Sequence, residues 1–245
     1  MTVGGWRTVQ TGLAILGALL TLLAAVRLRE TLVVATERAE SLLQPTFDLL
    51  GRRAFRLQLL QIGLLYSAYP AFVSIAPHLM IDVFHRPATD YAYYFALLPL
   101  GYFAGNAFVL RFSRRFSGSQ LIRAGSLWAS VAALIGAMLL GVGLTHPLAL
   151  FVPAGLLVNL GLGLALPSAT ARAVSQSWPA TASGWGLAGF TQQLTGACAV
   201  QVLGFFPSAT PFPVLFLCAT VALLPLVLER WLRPAASPAA AAAPP

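Results

Sequence analysis

Apolar runs of helix-spanning length, separated by short polar breaks, recur from one end of the chain to the other. A bilayer core about 30 Å thick takes about 20 residues of α-helix to cross. Seven stretches reach that length, at about 8–27, 56–80, 91–111, 122–144, 147–167, 184–206 and 211–230. The longest break, 29–53, carries Leu32, Ala35, Ala39, Leu42 and Leu43 at helical spacing. That pattern predicts a short helix on the membrane surface, ended or broken by Pro45. The tail "PAASPAAAAAPP" has nothing to bury and reads as disordered. The expected organisation is a first span over 1–28, a linker over 29–53, a six-helix bundle over 54–230 and a tail over 231–245. Prolines 70, 77, 99, 153 and 225 fall inside spans, where each removes a backbone donor and can kink its helix.

Composition makes the bilayer the solvent. Of 245 residues, 58% are hydrophobic and 9% charged, against roughly 25% charged in a soluble domain. The fold class is therefore an all-α membrane protein with seven transmembrane helices, and its first partner is the lipid bilayer. The first run does not read as a secretory signal: it lacks a basic leading segment and a small-x-small site before a polar domain.

The net charge of +8 comes from fifteen arginines and no lysine. Without lysine there is no Schiff base, which excludes a retinal-bearing seven-helix pigment. Thirteen arginines fall on one set of alternate loops, and Arg7 and Arg86 on the other. By the positive-inside rule the N-terminus is expected outside and the C-terminus in the cytoplasm. The densest cluster, "RFSRRFSGSQLIR" at 111–123, lies between two spans and leaves no room for a nucleic-acid domain. Each of its arginines can gain about 1 kcal/mol from anionic lipid. Cys198 and Cys218 sit in apolar runs and belong to no metal spacing.

Polar side chains inside the spans are the best clue to a site, since in hydrocarbon they are costly unless they face the bundle or a wet cavity. Gln58, Gln61 and Tyr69 share one helical face, and Tyr66 lies about 60° from Tyr69. Such a stripe suits a pocket for an amphipathic organic molecule. The competing reading is interhelical hydrogen bonds of about 0.6 kcal/mol each. Asn106, Asn159, Gln192 and Gln193 are further polar positions in spans. No acid lies near the middle of a span; His78 and Asp82, four residues apart, stand at an outer end. No hydrolase, nucleotide or zinc motif occurs, so neither an enzyme nor a metal or other cofactor is expected. The glycines of "GLGLALP" (161–167) are expected to let helices approach closely.

The order of short motifs resembles a known family. "GGWR" (4–7), an apolar helix and "RLRETL" (27–32) are similar to the sixth helix and its exit in drug-exporting major facilitator proteins. "YFALLPLGYFAGNAFVLRFSRRFSGSQLIRAG" (94–125), "NLGLGLALPSATARAV" (159–174) and "SGWGLAGFTQQLTGA" (183–197) resemble the eighth to eleventh helices of its bicyclomycin-resistance (Bcr/CflA) branch. Val33 stands where the family has proline, and Ser168 where the branch often has asparagine. The resemblance implies a C-terminal portion, helices six to twelve of twelve, in a bacterial inner membrane. It implies export of small organic compounds or drugs by alternating access, with the seventh and tenth helices lining the cavity and the eighth and eleventh gating it. Gln61, Tyr66, Tyr69, Asn106, Asn159, Gln192 and Gln193 are then the substrate-cavity candidates. Arg111, Arg114, Arg115 and Gly118 match the family's cytoplasmic gate loop. A chain of this extent is expected to be inactive alone, and to need a separate N-terminal half or a second copy. The competing reading is a seven-helix receptor or sensor; an intramembrane enzyme has no nucleophile–base pair to support it.

Overall fold

The first apolar run forms the helix α1, Trp6–Arg27. Val9, Leu13, Leu16, Leu19, Leu20 and Leu23 are all exposed on it. Thr11 and Thr21 turn their hydroxyls back onto the Arg7 and Gly17 carbonyls, each at 2.9 Å. An apolar helix with its few polar groups closed internally is what hydrocarbon demands. The computed structural model describes residues 6–27, 44–144, 146–205 and 212–232. It divides into two units, Met1–Glu40 and Ser41–Pro245, and α1 belongs to the first.

The second unit is a bundle of helices: α2 (Gln44–Gly51), α3 (Arg53–Asp82), α4 (Ala88–Phe95), α5 (Leu97–Phe112), α6 (Gly118–Gly141), α7 (Leu148–Leu150), α8 (Val158–Gln176), α9 (Thr181–Leu203) and α10 (Phe212–Leu232). A π-helical turn, Phe151–Leu157, joins α7 to α8 in one continuous span. The chain is an all-α membrane protein, and no strand occurs among the described residues.

Five helices there are long and apolar enough to cross a membrane: Arg7–Arg27, Arg53–Asp82, Thr89–Phe112, Gly118–Gly141 and Leu148–Gln176. That is fewer than the seven expected. The sixth expected span has the length, in α9, but Thr191, Gln192, Gln193, Thr195 and Gln201 dilute its apolarity. In the seventh, the apolar stretch is Cys218–Glu229.

The expected linker helix falls largely on residues 28–43, and the tail on 233–245, both outside the described residues. Pro45, expected to break that helix, stands in the first turn of α2 instead. There its missing N–H has no intrahelical carbonyl to serve, so proline is tolerated. Pro99 leaves the Phe95 carbonyl without a donor, and the third span breaks at Ala96 into α4 and α5. The fifth span, expected to stop at 167, runs on to Gln176. Thr170 and Ser175 bond to carbonyls of their own helix, and Arg172 finds partners inside the bundle.

Packing follows small residues. The inward face of α6 is Gly125, Ser126, Ala129, Ser130, Ala133, Gly136 and Ala137, while Leu127, Trp128, Val131, Leu134 and Met138 point outward. In water this would be inside out. In lipid, close backbone approach drives helix association, and large side chains are at home on the rim. A Cβ on Gly105 would strike the Leu160 carbonyl oxygen, and one on Gly163 the Tyr102 carbonyl oxygen, so α5 and α8 touch backbone to backbone. Gly161 meets Gly125 of α6 in the same way, which fulfils the expectation for "GLGLALP". α8 thus sits among α3, α5, α6 and α9, while α10 packs on α3 and α6. The spans of α3 and α8 are 56% and 61% buried over their apolar windows, against 17% for Thr89–Phe112. α3 and α8 are therefore the inner helices, and both polar groupings of the bundle include their side chains.

Candidate functional site

The inner helices hold two polar groupings. The first is a charged cluster near the ends of four helices. Arg172 of α8 forms a bidentate pair with Glu229 of α10: Nη1 to Oε1 at 2.8 Å and Nη2 to Oε2 at 2.5 Å. Its Nε donates to Gln58 Oε1 at 2.8 Å, Nη2 to Gln61 Oε1 at 2.8 Å, and Nη1 to Ser119 Oγ at 3.2 Å. A guanidinium has five N–H donors, and each has a partner here. The glutamines close the remainder. Gln58 Nε2 donates to Gln61 Oε1 and to the Ala169 carbonyl; Gln61 Nε2 donates to Glu229 Oε2 and to the Pro225 carbonyl. Glu229 is 1% exposed and Arg172 22%. The cluster is net neutral and ties α3, α6, α8 and α10 together. It is a fastening with no guanidinium donor left for a ligand.

The second grouping is a cavity of about 280 Å³ between α3, α5, α8 and α9. Tyr66 and Tyr69 enter from α3, Tyr102 from α5, Asn159 from α8 and Gln192 from α9; Leu98, Pro99, Leu162 and Leu166 complete the wall. Gln61 of the cluster and Tyr66 of the cavity are five residues apart on α3, so the two groupings lie about 8 Å apart along the helix at their nearest, and Gln58 and Tyr69 about 16 Å apart. The Tyr66 and Tyr69 rings lie 6.4 Å apart, tilted 44°. Gly196 of α9 makes room for them, because a Cβ there would come within 2.9 Å of Pro70 and 3.3 Å of the Tyr66 ring. Asn159 Nδ2 donates to the Gly155 carbonyl at 2.7 Å, inside the π-helical turn. The same carbonyl accepts from the Val158 N–H, and the Asn159 bond fixes the amide's orientation. π-turns of this sort recur at functional sites.

The sequence-derived candidates therefore part company. Tyr66, Tyr69, Asn159 and Gln192 converge on the cavity. Gln61 is fully buried in the charged cluster. Asn106 is half-buried on α5, one turn beyond Tyr102, and does not line the cavity. Gln193 is exposed and faces a separate groove with Pro70, Gly196 and Gln201.

Of the arginine-loop residues, Arg111 closes α5, Arg114 and Arg115 lie in the turn, and Gly118 begins α6. Ser117 caps α6 reciprocally with Gln120: the Gln120 N–H donates to Ser117 Oγ at 3.3 Å, and the Ser117 N–H to Gln120 Oε1 at 2.8 Å. A Cβ on Gly118 would meet open space, so no contact requires glycine there. Phe116 stacks with Phe108, Phe112 packs tilted against the same ring, and the Arg115 guanidinium lies 6.0 Å from the Phe112 ring. His78 and Asp82 are both exposed, and no ion pair joins them. Cys198 and Cys218 are free thiols.

Sequence reasoning passed over Glu229 and used Arg172 only as a marker of sidedness. The available signal was a lone carboxylate inside the last apolar run, with two glutamines at i, i+3 on another span. Tyr102 was visible as a polar residue, but nothing in the sequence set it opposite Tyr66.

No family model matches the chain. Over 203 residues it is 27% identical to the uncharacterized MFS-type transporter YdgK of Bacillus subtilis (strain 168), a match that covers 81% of this chain and 50% of that protein. The chain thus spans half the length of this curated relative, and it is similar to an MFS-type transporter in a helical, membrane-spanning fold.

Proposed function

We propose that the protein forms part of a membrane transporter of the major facilitator type and moves small organic molecules by alternating access. The observation that carries this reading is the cavity between the inner helices, lined by phenols and amides and walled by leucines. Similarity to an MFS-type transporter supports the same reading. Within it, Tyr66, Tyr69, Asn159 and Gln192 are the substrate-facing residues of this portion. The branch resembled is the bicyclomycin-resistance one, so the cargo is a drug-like compound and the direction is export from a bacterial cytoplasm. The N-terminus lies outside and the C-terminus in the cytoplasm, with Arg111, Arg114 and Arg115 facing anionic lipid at the inner gate.

A carrier of this type encloses its substrate between two halves. The second wall would come from a separate N-terminal half or from a second copy. Alone, the chain therefore does not transport. The test is reconstitution of the purified chain in liposomes, with and without a co-expressed N-terminal half. Uptake or efflux is expected only in the paired sample. Saturable transport by the chain alone at the paired rate would overturn the two-wall requirement, and none in either would overturn the carrier reading.

A further inference from the structure

Resting on the reading of this cavity as a substrate wall, we infer that the site between α3, α5, α8 and α9 selects uncharged, ring-bearing molecules with hydrogen-bonding groups and discriminates against both permanent cations and anions. Two independent features lead there. The first is what the wall lacks: among the described residues no Asp, Glu, Arg or His lines it. The Arg172–Glu229 cluster, farther along α8, is neutral as a unit and has all five guanidinium donors engaged within the protein. Arg172 also lies six residues beyond Leu166, the last α8 residue of the wall, or about 9 Å along the helix. A charged ligand would give up its water and meet no counter-charge. Ring faces attract cations, but that attraction is smaller than the cost of stripping water from an unpaired ion.

The second feature is what the wall offers. The hydroxyls of Tyr66, Tyr69 and Tyr102 and the side-chain amide of Gln192, all in the wall, make no hydrogen bond to another group among the described residues. The Asn159 amide is oriented by its bond to Gly155. Donors and acceptors held unpaired among leucines reward a neutral ligand that carries complementary groups, because each pairing satisfies two half-dry polar atoms at once. The ring surfaces of Tyr66 and Tyr69 supply apolar contact for an aromatic body.

The test uses one scaffold in three charge states: 2-naphthamide, (2-naphthylmethyl)trimethylammonium and 2-naphthoate. Equilibrium dialysis would follow their binding to the full chain in lipid nanodiscs, with empty nanodiscs subtracted for partition into lipid. The amide is expected to bind saturably and at least about tenfold more tightly than either ion. Tyr69→Phe and Tyr66→Phe keep the ring and remove the hydroxyl. Each should weaken amide binding by about three- to tenfold, the worth of one hydrogen bond, with helix content unchanged by circular dichroism. Tyr93→Phe, on an exposed tyrosine outside the wall, should leave binding as it was. Equal or tighter binding of the ammonium or the naphthoate would overturn the selectivity while leaving the wall as a substrate surface. Amide binding that both phenylalanine variants leave unchanged would overturn the assignment of the hydroxyls. Saturable binding of none of the three would overturn this inference and the substrate-wall reading together.

Discussion

Removing the Glu229 carboxylate tests whether the charged cluster fastens the bundle. In Glu229→Ala, Arg172 loses its two charge-assisted bonds, at 2.8 and 2.5 Å, and keeps Gln58, Gln61 and Ser119. A guanidinium that is 22% exposed then sits uncompensated among four helices. Breaking a buried pair in this way costs about 3–5 kcal/mol, and partial exposure of Arg172 puts the expected loss near the lower end. Arg172→Ala strands Glu229, which is 1% exposed, and costs at least as much. The double variant Arg172→Ala/Glu229→Ala removes both charges. Gln58 keeps the Ala169 carbonyl and Gln61 the Pro225 carbonyl, so the double loss should be smaller than the sum of the singles by about 2 kcal/mol or more. Equilibrium unfolding in mixed dodecylmaltoside–SDS micelles, read by tryptophan fluorescence, measures all four proteins on one scale. Single variants within about 1 kcal/mol of the parent, or a double variant equal to the sum of the singles, would refute the fastening role.

Other expectations follow from local geometry. Gly105→Ala drives a methyl into the Leu160 carbonyl oxygen, so it should lose about 1–3 kcal/mol in the same assay. Gly189→Ala, which meets open space, should be neutral or gain up to about 1 kcal/mol. Ser117→Ala removes half of the reciprocal cap on α6 and should cost about 1 kcal/mol; faster trypsin cleavage at Arg114 and Arg115 would report the frayed end, and an unchanged rate would refute it. For sidedness, a single-cysteine Arg86→Cys variant of a chain freed of Cys198 and Cys218 should react with an impermeant maleimide in intact cells. The Arg114→Cys counterpart should react only after permeabilisation, and the reverse pattern would invert the proposed orientation.

Much of the architecture is written in the order of residues because the bilayer imposes a simple rule. A chain with 9% charged residues cannot face water over its surface, and apolar runs about 20 residues long can satisfy their backbone in lipid only as helices. The helical class, the approximate spans and the close approach at Gly161 and Gly163 follow from that rule and from side-chain size. Boundaries followed less well. Whether a polar residue ends a helix depends on what it meets in space: α8 passes Ser168, Thr170 and Arg172 because each has a partner, and Pro45 begins a helix because its missing donor was not needed there.

The division of the polar residues was a tertiary decision. Along α3, Gln61 and Tyr69 belong to one stripe, and helical periodicity alone treats them alike. Packing separates them, since Gln61 lies level with Arg172 and Glu229 at the helix ends, while Tyr69 lies level with Asn159 and Gln192 farther along. Glu229 is 168 residues from Gln61 and 57 from Arg172, and no local pattern couples positions so far apart. What joins them is the packing of α10 on α3 and α6 and of α8 on the same two helices, which sets the depth of each side chain and so decides which polar groups meet each other and which meet an open cavity.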